Sequence, residues 1–238
     1  MTDSVAAAAG SPQRGSGLDL TEELLALHEA PDSEETVERV AEYARSAVGC
    51  DDAGVLLVHA RHRIETAAAT SEPVRRAHDL QVELDEGPCL DALEDPTAIY
   101  QVHDTAADER WPRWSAAVVE LGYRSVLSVP LATASRRYGS LNVYASRVGA
   151  FDEDDIAVTT VVARHASVAL AASRDLEGLR RAVDARKLIG IAMGLLMERY
   201  GIDSDRAFDV LRRYSQQHNV KLRDVARLVV EGRGLPQD

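Results

Sequence analysis

A chain of 238 residues with 45% apolar and 28% charged side chains can bury a core in one or two domains, and is neither a disordered tract nor a membrane-embedded bundle. Its formal charge of −12, from 27 Lys and Arg against 39 Asp and Glu, repels phosphate backbones and at first excludes nucleic acid. The distribution narrows that exclusion to one part of the chain. Residues 1–173 hold 14 basic and 29 acidic side chains, net −15, whereas residues 174–238 hold 13 and 10, net +3.

Residues 1–17, built of Ala, Gly, Ser and Pro with little to bury, predict a disordered tail. From Leu18 a helical period begins with Leu20, Leu24 and Leu27. It continues through Val37, Val40, Ala41, Ala44 and Val48, with Asp32 or Ser33 as N-cap and Gly49 as the stop. Ala53 to His59 and Ile64 to Ala69 read as strands about a basic turn, Arg61-His62-Arg63. Glu72 to Leu84 is helical, and Gly87-Pro88 signals a turn. A strand around Ala98 to Val102, a helix from Trp111 to Leu121 stopped by Gly122, and strands at Ser125 to Leu131 and Ser140 to Ala145 follow. The last two are split by a turn containing Arg136, Arg137 and Gly139. Strand pairs joined by tight turns are antiparallel, so an α+β sheet with flanking helices is expected over 18–172.

Between Phe151 and Pro236 no proline interrupts the chain, and Asp152 to Tyr200 predicts one helix of about 48 residues. Within it Ala172, Leu176, Leu179, Val183, Arg186, Gly190, Met193 and Met197 step alternately by four and three, a heptad seam interrupted at Arg186 and Gly190. A dimeric coiled coil is the expectation from that spacing. Gly201-Ile202-Asp203 breaks the helix, and Asp203 or Ser204 caps a second one to about His218, with Ala207, Phe208, Leu211 and Ser215 facing inward. Asn219 ends it, and Leu222, Val225, Ala226 and Val229 define a third helix ending at Gly232. Residues 173–238 therefore read as an all-α three-helix domain.

Little in the chain suggests catalysis or metal binding. Cys50 and Cys89 are too few for a disulfide framework and lack metal-ligand spacing, and Asp85, Glu86 and Asp91 raise the pKa of a thiol at Cys89, which reads as structural. The histidines, at 28, 59, 62, 78, 103, 165 and 218, form no pair spaced by four residues. Neither a Ser-His-Asp order nor a glycine-rich phosphate loop is visible, so the expectation is no catalytic residue, no metal site and no enzyme. The N-terminal residues lack a basic leader with an apolar core, and no stretch is read as a membrane span, so a cytoplasmic protein without membrane contact is expected.

The C-terminal residues Ile189-Gly190-Ile191-Ala192-Met193-Gly194-Leu195-Leu196-Met197-Glu198-Arg199, Ala207-Phe208, Leu211-Arg212-Arg213-Tyr214-Ser215 and Asn219-Val220-Lys221-Leu222-Arg223-Asp224-Val225-Ala226 resemble the ANTAR domain over about 60 residues. The resemblance implies a three-helix output module of transcription antitermination regulators that binds, as a dimer, paired hairpin loops in nascent RNA. Basic side chains and aromatic planes suit such loops. Arg213, Lys221 and Arg223, with Arg212, Lys187 and Tyr214, are the RNA contacts it implies; Phe208 is expected inside.

Upstream, Glu86-Gly87-Pro88-Cys89-Leu90-Asp91-Ala92-Leu93, Arg110-Trp111-Pro112, Gly122 to Leu131 and Gly139 to Tyr144 resemble a GAF domain of the kind that precedes ANTAR in actinobacterial regulators. That implies a small-molecule sensor or a dimerisation module. Its ligand is unknown. Asn142 followed by Val143 departs from the cyclic-nucleotide pattern, and Cys89 followed by Leu90 departs from bilin attachment. A phosphorylated receiver is excluded because no lysine precedes Lys187. The alternative reading is a GAF small-molecule or redox sensor whose helical tail dimerises and binds no RNA; a helix-turn-helix DNA reader is a second.

Overall fold

The computed structural model describes residues 32–59, 63–95 and 97–232. The expected disordered tail, the segment containing Leu20, Leu24 and Leu27, His28, and most of the 61–63 turn lie outside the described residues. The described chain divides into two compact units, with the boundary between Arg174 and Asp175.

The first unit is an antiparallel five-stranded sheet in the order β2-β1-β5-β4-β3, with β1 Asp52–Val58, β2 Ile64–Ala69, β3 Tyr100–Val102, β4 Ser125–Ala132 and β5 Arg137–Ala145. The α+β sheet read from the sequence is thus observed. Helix α1, Ser33–Val48, starts where the Asp32 side chain accepts a hydrogen bond from Glu35 N at 3.0 Å and stops at Gly49, whose φ is 68°. Helices α2 (Glu72–Leu84), α3 (Pro88–Glu94) and α4 (Pro112–Glu120) follow. In the sequence Gly87-Pro88 signals a turn. The proline instead occupies the first position of α3, where its missing N–H costs nothing.

Strand alternation sends two different sets of side chains to the two faces. One set, including Val55, Leu127, Val129, Leu141 and Val143, packs beneath Val37, Val40, Ala41 and Ala44 of α1 and Val162, Ala163, Ala166 and Leu170 of the long helix α5. The other face meets Val74 and Ala77 of α2 and Trp114 and Val118 of α4.

Helix α5 spans Glu153–Tyr200, 48 residues, as the unbroken pattern predicted. A reciprocal cap opens it: Asp155 N donates to Asp152 Oδ1 at 2.9 Å and Asp152 N to Asp155 Oδ2 at 3.0 Å. Contrary to the sequence reading, α5 is long and apolar enough to cross a membrane by length and composition, with an 18-residue window of mean hydropathy 1.4. Within its N-terminal half, though, Val162, Ala163, Ala166, Ala169 and Leu170 belong to the buried core over the sheet.

In the second unit, Ala192 and Leu196 from the end of α5 pack on Ala207 and Leu211 of α6 (Ser204–Gln217) and Val225 and Ala226 of α7 (Leu222–Val230). Asp203 caps α6 by accepting from Arg206 N at 2.8 Å. The turn into α7 forms because Asn219 accepts a left-handed φ of 52°, and Ser215 Oγ donates to Val220 O at 2.7 Å.

Candidate sensor core and nucleic-acid interface

In β4 and β5, Ser128, Ser140, Asn142 and Tyr144 alternate with aliphatic residues, a pattern that reads as a solvated face. All four are nevertheless wholly buried beneath α2, α3 and α4. They build a continuous polar chain. Gln81 Nε2 donates to Cys89 Sγ at 2.7 Å, and Cys89 N donates to Gln81 Oε1 at 2.8 Å. Cys89 Sγ lies 3.5 Å from Ser128 Oγ, which donates to Asn142 Oδ1 at 2.8 Å. Asn142 Nδ2 lies 3.2 Å from His78 Nε2, and His78 Nδ1 lies 3.4 Å from Thr66 Oγ1. With the Asn142 amide donating, Nε2 is the bare nitrogen and the ring is neutral. The Tyr144 hydroxyl, also wholly buried, makes no hydrogen bond, and the Cys89 thiol is its polar neighbour.

No formal charge enters this chain. Burial pushes the Cys89 thiol up to about 11, which keeps it protonated and unreactive. The sequence reading of an inert cysteine therefore finds a reason other than its acidic neighbours: burial dominates. Burial, assisted by the charge of Arg75, pulls His78 down to about 3.

Because the folded pKa of His78 lies below its unfolded value near 6.5, the unfolded chain binds the extra proton as pH falls through that window. The stabilisation is full above pH 6.5 and erodes by about 1.4 kcal/mol per unit below it. Urea unfolding at pH 7.5 and pH 5.0 should show wild type losing about 2 kcal/mol more than His78→Gln over that step. Equal losses would refute a neutral buried imidazole.

Several motif residues prove to be scaffold. Glu86 accepts from Arg113 N at 2.9 Å and from Arg113 Nε at 2.7 Å, fastening the start of α4 to the end of α2, and this pairing holds its carboxyl below the usual range. Gly87 has φ 144°, and a Cβ there would stand 2.2 Å from Gln81 Oε1. Trp111 Nε1 donates to Asp91 Oδ2 at 3.1 Å, and Arg110 stacks on the Trp111 ring at 4.4 Å.

Two adjoining grooves open beside the buried polar chain. One, of about 590 Å³, is lined by Leu56, Thr66, Arg75 and Asp79 and so reaches the threonine that bonds His78. The other, of about 490 Å³, has an apolar floor of Val58, Ile64, Val82, Leu90 and Leu93 with Arg137 at its rim. Among the described residues no group of three or more His, Cys, Asp and Glu side chains could hold a metal.

On the second unit, Arg213 and Tyr214 lie on α6, Lys221 is the residue that precedes α7, and Arg223 lies in the first turn of α7. Among the described residues Arg213, Lys221 and Lys187 pair with no carboxylate, whereas Arg212 bonds Asp209 at 2.8 Å and Arg223 lies 3.4 Å from Asp224. Tyr214 is half-buried with its ring centroid 4.1 Å from that of His218. Lys187 stands apart on α5. Phe208, expected inside, is 37% exposed, and Tyr200 is 62% exposed. At 100° per residue, Phe208 falls at the margin of the face led by Ala207 and Leu211.

The first unit is an α+β domain with a buried polar chain between its sheet and α2, α3 and α4. The chain belongs to the GAF–ANTAR regulators: residues 30–171 match the GAF domain and residues 177–230 the ANTAR domain. No curated protein matches it in sequence. Similar solved structures include the GAF domain of the cyanobacteriochrome TePixJ, at 20% identity and TM-score 0.52, covering 62% of this chain and 94% of that one. Another is a free methionine-R-sulfoxide reductase from Neisseria meningitidis in complex with its substrate, at 21% identity and TM-score 0.53, covering 66% and 89%. A third is the GAF domain of a phosphoenolpyruvate-protein phosphotransferase from Coxiella burnetii, at 17% identity and TM-score 0.53, covering 69% and 99%. At such identities the likeness establishes the fold of the first unit.

Proposed function

We propose that this protein is a dimeric, RNA-binding transcription antitermination regulator of the cytoplasm, in which the GAF unit senses a signal and controls the ANTAR unit. The observation that carries the reading is the pair of cations without a carboxylate partner among the described residues, Arg213 on α6 and Lys221 just before α7, in the one part of the chain with net positive charge. Phosphates at the base of a hairpin loop are their natural partners. The heptad seam supports the dimer: Leu176, Leu179 and Val183 are 45%, 63% and 55% exposed in a single chain, a row of apolar side chains that a second copy would cover. A small molecule in the grooves beside Thr66 and Val82 is the proposed signal, because the wider groove leads to the buried polar chain through Thr66.

Mobility-shift titration of the full-length protein with a paired-hairpin RNA tests this. Wild type should bind, and Arg213→Ala with Lys221→Ala should weaken binding about 10- to 100-fold while reducing the salt slope by about 2.8, four phosphate contacts per dimer. Arg212→Ala, already neutralised by Asp209, should lose least. Failure of the wild type to bind at low salt would favour a GAF sensor with a dimerising tail.

A further inference from the structure

The α5 seam carries one layer that a protein dimer alone does not satisfy. Counting Leu176 and Val183 as heptad positions a and Leu179 and Arg186 as d, positions e hold Arg180 and Lys187 and positions g hold Asp175, Ala182 and Ile189. In a parallel, in-register pair each g side chain approaches the e side chain five residues later in the partner, so Asp175 meets the partner's Arg180, twice by symmetry. An antiparallel pair would set e against e and bring the cations together, so the charges select the parallel arrangement.

One heptad further on, the complement fails. Ala182 is the g residue opposite the partner's Lys187, and from Ala182 to Met197 no a, d, e or g position carries a carboxylate. Arg186 itself takes a d position. Two Arg186 and two Lys187 side chains would therefore share one layer of the pair. All are exposed in a single chain, and none has an ion pair among the described residues. Asp184, the nearest acid, sits at the outward b position. The following a residue, Gly190, adds no side chain to shield the layer, and a Cβ there meets nothing within 4 Å. Like charges so placed repel unless a polyanion sits among them.

We propose that this composite layer, Arg186 and Lys187 from both copies, binds the phosphodiester backbone of the single-stranded RNA spacer that joins the two recognised loops. The site exists only in the dimer, and it rests on the RNA-binding reading above. Bound RNA neutralises the layer and lets the seam close toward Met197, which is 37% exposed, so dimerisation and RNA binding reinforce each other.

The test compares full-length wild type with Arg186→Leu and Arg186→Lys on two RNAs: a paired-hairpin RNA with its natural spacer, and the same loops joined by an uncharged polyethylene glycol spacer. Wild type and Arg186→Lys should bind the natural spacer about tenfold more tightly than the uncharged one. Arg186→Leu, which completes the apolar seam, should dimerise more tightly by sedimentation equilibrium. It should nevertheless lose about tenfold in affinity for the natural spacer and show no preference between the two. Its salt slope should fall by about 1.4, two phosphate contacts per dimer. Unchanged binding by Arg186→Leu would overturn the proposal while leaving the hairpin contacts of Arg213 and Lys221 intact. Wild type that binds neither RNA overturns both readings. Inorganic polyphosphate competing as well as the natural spacer RNA, phosphate for phosphate, would overturn RNA as the ligand of the layer.

Discussion

Replacing Gly139 with alanine should prevent the first unit from folding. Gly139 stands on β5 opposite Leu57, and a Cβ there would lie 1.7 Å from the Leu56 carbonyl oxygen and 2.8 Å from its carbonyl carbon. The obstacle is backbone of the neighbouring strand, so no rotamer change relieves it, and β1 and β5 must separate or slip register. The register also sets the partners of Ser140 and Asn142, so a slip breaks the buried polar chain. The expected loss is about 4 kcal/mol or more, against about 5–15 kcal/mol available to a whole domain. Far-ultraviolet circular dichroism and thermal unfolding would show a missing transition for this unit, with the ANTAR helices retained. Gly178→Ala is the control: it lies on an exposed stretch of α5 with nothing within 4 Å of a Cβ, and should stabilise by about 0.5–1 kcal/mol. A Gly139→Ala protein that melts like wild type would show that β5 does not approach β1 as described.

The second large effect belongs to Leu211. It is wholly buried against Ala192, Leu196, Ala207, Val225 and Ala226, in a unit whose core is made of three helices and few large side chains. Truncation to alanine removes about 2–5 kcal/mol, most of what so small a core can supply. Leu211→Ala should therefore unfold the second unit below 37 °C and abolish paired-hairpin RNA binding without touching an RNA contact. Phe208→Ala, at the solvent-facing margin, should cost about 1 kcal/mol or less. Differential scanning calorimetry of the two variants separates them. Equal destabilisation would restore the symmetrical inward face that periodicity alone suggested.

That contrast shows where periodicity stops being informative. A spacing of three and four places Ala207, Phe208, Leu211 and Ser215 on one broad face, but a three-helix core with Ala192, Ala207 and Ala226 at its contacts is narrow. Its width depends on how closely α5 and α7 approach, which no local pattern in α6 records. The exposed seam at Leu176, Leu179 and Val183 is the converse: periodicity located it, and the fold left it uncovered because α5 meets the core of this unit only further along, through Leu188, Ile189, Ala192, Met193 and Leu196. The proposed RNA contacts were named from motif resemblance. The structure adds that Arg212 and Arg223 are partly neutralised by Asp209 and Asp224, which shifts the emphasis to Arg213 and Lys221.

The His78 network was not read from the sequence at all. The available signal was the alternation of Ser128, Ser140 and Asn142 with aliphatic residues in two strands that also carry an apolar face of Leu127, Val129, Leu141 and Val143. Alternation of that kind marks a two-faced strand but does not say whether water or helices cover the polar side.

The sequence by itself determined the element types and most of their ends, because caps, glycine stops and hydrophobic periods are settled within a few residues: Asp32, Gly49, Asp203 and Asn219 act locally wherever the chain goes. It also determined the split of charge between an acidic first three quarters and a mildly basic C-terminal quarter. Only the tertiary structure decided that Ser128, Asn142 and His78 are buried and uncharged, that Gly139 lies against a neighbouring backbone, and that Phe208 lies at the exposed margin of its helix. Each of those depends on which distant elements cover a face, and that coverage is fixed by packing across the sheet and between helices rather than by any neighbour in the chain.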